Sequence, residues 1–449
     1  MADNVTGLVS PSSRPALRRV PLPEGTLPVG LSLLIAGIAT YAFFIVGARA
    51  LGGEEAFAPI VAMWFATFSL APGFFLPLEQ EMGRALSART AQGQGGRPVV
   101  RRIVVIGGVI TTVVLIAILA ASPIIATEYF DGNWWMLAAL ATAFVAYAPA
   151  HLARGICAGT GRFRSYAIVI GSDGIIRIIA CVALALIGIT AAGPYAFAVA
   201  LAPLVPVTFV AARGGLRTEE GPETNWQEVS QNLGWLLMGT VFAAALLNAG
   251  PVTANLLRGE GEEELVTRFG YGVLLARIPL FLFQAVQAAL LPRLSRLAAR
   301  GEFDEFRDGL RKLLYLVAAV GVIGTTGAFV LGPFFIRTVY DSELSGRTLA
   351  MLALSSAIYM GGLATAQAVI ALRGHARVAL GWAVGVVGFV LGTWLSSDQL
   401  FRRIEIGLLI SSCAALVVFA VSLRQKLAAG STPTPGSVMN AITDLPLDP

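Results

Sequence analysis

Residues 103–122 read IVVIGGVITTVVLIAILAAS, twenty residues without a charged side chain, directly after the pair Arg101-Arg102. The hydrocarbon core of a bilayer is about 30 Å thick, and a helix of about 20 apolar residues crosses it. The run therefore predicts a membrane-spanning helix with two arginines at the membrane surface. Similar apolar runs recur along the whole chain, so this pattern decides the fold class.

The composition agrees with a membrane protein. Of the 449 residues, 56% are hydrophobic and 13% are charged, whereas about 25% of the residues in a soluble domain are charged. These values exclude a soluble enzyme, a secreted disulfide scaffold, a nucleic-acid-binding domain and a disordered chain. The isoelectric point near 9.3 does not indicate nucleic acid, because basic residues in such a chain set membrane topology.

The apolar runs predict an all-α polytopic membrane protein with about twelve transmembrane helices. The predicted spans cover residues 27–50, 56–82, 103–122, 134–154, 165–188, 190–212, 230–256, 268–292, 312–336, 347–371, 378–395 and 404–423.

The basic residues orient these spans. With the N-terminus placed in the cytoplasm, 23 Lys and Arg fall in cytoplasmic segments, seven fall outside, and Arg177 and Arg277 fall within spans. Because cytoplasmic loops of membrane proteins carry an excess of Lys and Arg, both termini are predicted to be cytoplasmic.

The two halves of the chain resemble each other. Pro77 and Pro292 follow equivalent spans and lie 215 residues apart, and Arg154 and Arg373 lie 219 residues apart. Parallel six-span repeats are a transporter architecture with the substrate site at the repeat interface. The predicted organisation is a disordered cytoplasmic arm (1–26), an N-terminal six-helix lobe (27–212), a cytoplasmic inter-lobe loop (213–229), a C-terminal six-helix lobe (230–425) and a disordered tail (426–449).

Arg277 is the sharpest candidate for a functional residue, because a charge at mid-membrane costs about 2.5–3.5 kcal/mol on insertion scales. It lies nine residues into the eighth span, or about 13 Å deep at 1.5 Å per residue. Gln284 shares its helix face and Gln287 lies on the adjoining face. Since the planar guanidinium binds phosphate oxygens bidentately, we predict a substrate cavity at these residues. An arginine bonded to helix carbonyls is the alternative.

The other polar residues within spans have two interpretations each. Asp173 and Arg177 lie four apart and face the same way, as a structural ion pair or as a proton or sodium site. Asn248 and Asn255 share one face of the seventh span, on either side of a Gly250-Pro251 kink.

Two further candidates lie towards the ends of spans. Glu79 near the cytoplasmic end of the second span either lines the cavity or reaches to the membrane surface. Arg49 at the outer end of the first span is either an anchor or the rim of the cavity. The sequence shows no nucleophile–base pair, metal motif or cofactor motif, so neither an enzyme nor a bound cofactor or metal is expected.

Two loops resemble a known transporter group. Arg277-Ile278-Pro279, LLPRLSR at 290–296 and RGEF at 300–303 resemble the eighth span and following loop of polysaccharide and lipid II flippases, and RGICAGTGRF at 154–163 resembles their fourth-to-fifth loop. These flippases belong to the multidrug/oligosaccharidyl-lipid/polysaccharide (MOP) exporter superfamily. The resemblance implies two six-helix lobes in a V around a cationic cavity. Spans one, two, seven and eight would line that cavity, with Arg277 matching the cavity arginine.

The resemblance also implies a substrate and its partners. The expected function is a flippase of the plasma (inner) membrane that moves a polyprenyl-linked sugar or oligosaccharide to the outer leaflet, next to glycosyltransferases or a polymerase of the same pathway. Lipid II itself is disfavoured, because Arg49 is the only arginine of the first two spans and no additional two-span groove follows span twelve. A cation-coupled multidrug antiporter and a non-transporting scaffold for glycan synthases are the alternatives.

Overall fold

The computed structural model describes residues 26–226, 229, 233–280, 283, 294, 297, 298 and 300–429. Within them, eleven helices are long and apolar enough to cross a membrane. The twelve main helices are α1 Thr26–Leu51, α2 Glu54–Ala91, α3 Arg97–Ala120, α4 Trp134–Gly159, α5 Phe163–Leu186, α6 Ala192–Ala212, α7 Leu233–Leu257, α8 Glu263–Ala276, α9 Phe303–Val330, α10 Gly346–Ala371, α11 His375–Leu395 and α12 Leu400–Ala429.

These helices match the predicted spans in order. Helix α8 is the shortest of them because it ends at Ala276, where Arg277 forms a turn, so the span predicted at 268–292 is not one continuous helix. Three shorter helical segments also occur among the described residues: Ser122–Ile124, the π-helical Ile125–Tyr129, and the nine-residue helix Gly332–Tyr340. Several helices are longer than predicted. Helix α2 runs to Ala91 and α4 to Gly159, so Arg84, Arg89 and Arg154 lie in helices rather than in loops.

The terminal segments differ from the sequence prediction at one point. Helix α12 continues to Ala429, so residues 426–429 are helical rather than part of a disordered tail. The predicted arm at 1–25 and the tail beyond 429 lie outside the described residues.

The two halves use equivalent helix pairings. Helix α1 packs on α5 as α7 packs on α11, α2 packs on α4 as α8 packs on α10, and α4 packs on α6 as α10 packs on α12. Each pair is shifted by six helices along the chain. The all-α fold therefore consists of two six-helix lobes with the same internal packing.

The lobes meet mainly where α2 packs against α7 and α8. Two glycines allow this close approach. A Cβ at Gly73 would lie 2.8 Å from the Cα of Val241, and one at Gly270 would lie 2.9 Å from a methyl group of Val61. Larger side chains at either position would push the lobes apart.

The inter-lobe segment is docked on the N-terminal lobe at the end that carries the α2–α3 loop, which we name the basic end. The Arg89 guanidinium donates to the Pro222 carbonyl (2.7 Å) and the Thr224 hydroxyl (2.8 Å). A Cβ at Gly95 would lie 1.8 Å from the Glu220 carbonyl oxygen, so only glycine permits this contact.

The orientation can be tested by cysteine labelling in a background without Cys157, Cys181 and Cys413. We expect Gln94→Cys and Glu305→Cys to react only from the cytoplasm, because both lie at the basic end. Glu260→Cys and Asp398→Cys at the opposite end should react with a membrane-impermeant maleimide in intact cells. All four side chains are exposed. Reaction of Gln94→Cys in intact cells would contradict the predicted topology.

Candidate functional site

Arg277 lies directly after the last residue of α8 and points at α7 and α2. Its guanidinium donates to the Asn248 side-chain oxygen (2.9 Å) and to the Leu247 carbonyl. The guanidinium carbon also lies 5.5 Å from the centre of the Phe65 ring, within cation–π range. Because only 8% of its surface is exposed, Arg277 is a buried cation between the two lobes.

The Leu247 carbonyl accepts this bond because of Pro251, four residues further along α7. Proline has no backbone N–H, so the carbonyl four residues earlier loses its helical donor. In a membrane such a group must find another partner. Arg277 supplies that partner, which is the helix-carbonyl role foreseen as the alternative to substrate binding.

Two prolines of α2 create the same situation at the lobe interface. Pro72 removes the donor of the Phe68 carbonyl, and the Asn248 amide of the other lobe donates to that carbonyl at 2.9 Å. Pro77 likewise removes the helical donor of the Gly73 carbonyl, which accepts a hydrogen bond from the Thr240 hydroxyl at 2.7 Å. Side chains of α7 thus bind backbone groups that prolines have freed in α2.

The charge of Arg277 has no matching anion in this arrangement. Among the described residues, no carboxylate forms an ion pair with it, and its partners are a carbonyl, an amide and a ring. A small cavity of about 30 Å³ adjoins it, with Ser355, Tyr359 and Ser412 among its polar lining residues. The Tyr359 hydroxyl donates to the Ala243 carbonyl at 3.1 Å.

The Asp173–Arg177 pair lies inside the N-terminal lobe. Arg177 donates to the Asp173 carboxylate at 2.7 Å, and its guanidinium carbon lies 4.6 Å from the Trp64 ring centre and 5.8 Å from that of Phe68. The Tyr147 hydroxyl accepts a further bond from Arg177 at 3.3 Å. The arginine therefore fills an aromatic cluster, whereas one oxygen of Asp173 is enclosed without a hydrogen-bond partner among the described residues.

Glu79 belongs to a separate buried cluster, about 16 Å along α2 from Phe68 at 1.5 Å per residue. Its carboxylate is 2.9 Å from His151 Nδ1, accepts from Arg154 at 2.5 and 2.9 Å, and accepts from the Tyr166 hydroxyl at 2.9 Å. The side chain is 8% exposed and is fully paired within the N-terminal lobe. The structure does not bring Glu79 to Arg277.

The remaining candidates are dispersed. Asn255 lies at the end opposite the basic end, where its amide donates to the Tyr129 carbonyl of the N-terminal lobe at 2.7 Å. Arg49 is exposed at the end of α1. Gln284 and Gln287 lie outside the described residues. Among the described members of the predicted cavity set, Asn248 is the one that contacts Arg277.

Sequence reasoning missed the groups that surround these charges. The Tyr41 hydroxyl donates to the Leu274 carbonyl across the lobes at 2.7 Å, and Phe65 lies against Arg277. His151 is not recognisable from the sequence, because its partner is the Glu79 carboxylate 72 residues earlier. The proline spacing in α2 and α7 was the one signal in the sequence, because each freed carbonyl lies four residues before a proline.

The chain is similar to several proteins over most of its length. Uncharacterized proteins of Mycobacterium bovis and Mycobacterium tuberculosis are 26% identical to it over 419 residues, which cover 88% of this chain and 91% of theirs. No protein-family profile matches the chain.

Solved structures give the fold. An inward-facing multidrug resistance MATE family transporter of the MOP superfamily aligns with a TM-score of 0.69 at 13% identity, over 91% of this chain and 99% of that one. An outward-facing structure with the same description gives 0.65 at 12% identity, over 91% and 97%. A Vibrio cholerae MATE transporter gives 0.63 at 16% identity, over 89% and 97%. The chain therefore has the two-lobe fold of MATE transporters of the MOP superfamily, and is a multi-pass membrane protein.

Because Arg177 also contacts aromatic rings, replacing Arg177 should lower the yield of folded protein more than replacing Asp173. Arg177→Ala should lower the yield of folded protein strongly, because breaking a buried pair costs about 3–5 kcal/mol and the ring contacts are lost as well. Asp173→Asn should have a smaller effect, since Arg177 keeps its aromatic partners. Monodisperse yield and melting temperature in detergent measure both.

The charge-swapped variant, Asp173→Arg with Arg177→Asp, should remain poorly folded. It restores the pair but places a carboxylate against the negative faces of Trp64 and Phe68. Recovery of wild-type yield by the swap would show that the ion pair alone matters.

Proposed function

We propose that this protein is a non-enzymatic exporter of the plasma membrane that moves a polyprenyl-phosphate-linked sugar or oligosaccharide from the inner to the outer leaflet. The observation that carries the proposal is the buried Arg277 at the junction of the lobes, which has no carboxylate partner among the described residues. A cation held there without a counter-ion suits an anionic substrate group. A diphosphate offers the pair of oxygens that a guanidinium binds bidentately.

On substrate binding, the Arg277 guanidinium would exchange its neutral hydrogen-bond partners for a charged phosphate group. In the observed state the guanidinium is bonded to Asn248 and the Leu247 carbonyl, and the adjoining cavity of about 30 Å³ is far smaller than the roughly 300–1,000 Å³ of ligand pockets. A diphosphate therefore requires the lobes to separate around Arg277. Charge-assisted hydrogen bonds to phosphate are roughly twice as strong as the neutral bonds they would replace.

Alternating access is supported by polar contacts between the lobes at the end opposite the basic end. Arg268 pairs with Glu54 at 2.7 Å, and the Thr267 hydroxyl donates to the Glu54 carbonyl at 2.8 Å. Arg258 pairs with Asp131 there as well. These contacts close that end in the observed state, so substrate would enter from the basic, cytoplasmic end and leave after they break.

A cation-coupled multidrug antiporter is the second candidate. It is favoured by the enclosed, unpartnered oxygen of Asp173 in the N-terminal lobe, which a proton or a sodium ion would satisfy. Depletion of the protein separates the two candidates. The flippase proposal expects a lipid-linked glycan to accumulate on the cytoplasmic face, whereas the antiporter expects increased drug sensitivity without such accumulation.

Variants can separate a role of Arg277 in export from its role as the donor to the Leu247 carbonyl. Arg277→Ala should abolish export, and Arg277→Lys should recover part of it because lysine keeps the charge and loses the planar fork. The control is Pro251→Ala, which returns an N–H donor to the Leu247 carbonyl. The double variant Arg277→Ala/Pro251→Ala should fold at wild-type yield and still not export.

The measurements are folded yield and surface glycan in a depletion strain that carries each variant. If the double variant exports normally, Arg277 serves only to satisfy the Leu247 carbonyl. The diphosphate proposal would then lose its main residue.

A further inference from the structure

An apolar groove lies within the C-terminal lobe, between α8, α9 and α10. It has a volume of about 240 Å³, larger than the engineered cavities of about 150 Å³ that hold a benzene molecule. Gly321, Gly324 and Gly327 of α9 form part of its wall and contribute no side chains to fill it. Ile278 and Leu331 on its lining are 40% and 65% exposed, so the groove is open to the side of the bundle that faces lipid.

The groove adjoins the cavity at Arg277. Ala276 and Ser356 line both spaces, so the apolar groove and the cavity beside the guanidinium share a wall of small side chains. An amphiphile with its anionic group at Arg277 would therefore place its attached chain in the neighbouring groove along a path past these two side chains. Because α8, α9 and α10 belong to one lobe, this path would persist when the lobes separate.

We propose that this groove binds the first isoprenoid units of the lipid carrier, with the carrier phosphate at Arg277. This inference rests on the proposed function and adds to it a binding site for the chain. The groove wall on α9 from Gly321 to Leu331 is about 15 Å long at 1.5 Å per residue, which is a fraction of a polyprenyl chain. The rest of the chain would lie in the bilayer.

The depth of Arg277 distinguishes this occupant from an ordinary bilayer lipid. Arg277 lies nine residues after Arg268, which pairs with Glu54 at the end opposite the basic end, or about 13 Å along α8, near the middle of a hydrocarbon core about 30 Å thick. A phospholipid keeps its phosphate at the membrane surface and would reach the groove only with its chains. A single-chain lipid whose headgroup is being moved across the membrane places its phosphate at that depth.

The groove lies in the half of the bundle away from the basic end. Its wall includes Leu331, Gly332 and Phe335 where α9 ends, and it reaches Leu280 and Met360 near the middle of the bundle. With the predicted topology, this half is the outer leaflet. The chain would thus be held on the receiving side while its phosphate is still at Arg277.

The test is equilibrium binding of radiolabelled farnesyl diphosphate to the purified full-length protein in detergent. Gly327→Leu should weaken binding at least about tenfold by filling the groove. It should still fold, because a Cβ at Gly327 meets no atom within 4 Å. Gly327→Ala should have a smaller effect in the same direction. The matched control is Gly108→Leu on the exposed face of α3, where a Cβ also meets nothing within 4 Å and binding should be unchanged.

Competitors and Arg277 variants separate this inference from the function on which it rests. Inorganic diphosphate should compete weakly, and dioleoyl phosphatidic acid should not displace the probe. If binding requires Arg277 but is unchanged in Gly327→Leu, the groove proposal is wrong and the flippase proposal stands. Displacement by phosphatidic acid at equal concentration would assign the groove to bilayer lipid and overturn the inference. If neither farnesyl diphosphate nor inorganic diphosphate binds the wild-type protein, both proposals fail.

Discussion

Three backbone carbonyls lose their helical donors to prolines, and the two in α2 are bonded across the interface between the lobes. The carbonyls of Phe68 and Gly73 in α2 and of Leu247 in α7 each lie four residues before a proline. No water is available in the hydrocarbon core to satisfy such groups, so protein side chains must. Asn248, Thr240 and Arg277 supply the donors. The prolines thus create polar acceptors at the depth where the lobes are in contact.

The hydrogen bonds between the lobes affect both how the lobes pack and how easily they can separate. The bonds from Asn248 and Thr240 cross from one lobe to the other and are single neutral hydrogen bonds, each worth about 0.5–1.5 kcal/mol net. Together with the glycine contact at Gly73 they define the position of α7 against α2. Bonds of this strength hold a defined interface and still allow the lobes to separate, as the proposed transport cycle requires.

The charges within the membrane fall into two classes. Arg177 and Glu79 each have an oppositely charged partner inside the N-terminal lobe. Arg277 has only neutral partners among the described residues, although it is as deeply buried. A buried cation without an anion is costly to maintain, which is why the substrate proposal rests on Arg277 and not on the paired residues. The apolar groove beside it in the same lobe provides the complementary surface for a lipid chain.

The sequence by itself determined the all-α class, the approximate number and the order of the membrane helices, and the two-lobe organisation. These follow from local quantities: the length of an apolar run and the position of a residue within it. Only the tertiary structure decided which charges are neutralised. It paired Glu79 with His151 and Arg154 across 72 and 75 positions, and it gave Arg277 a carbonyl and an amide instead of an acid. Helical periodicity places a side chain on a face of its own helix, but the neighbour that meets that face is chosen by the packing of helices distant in sequence.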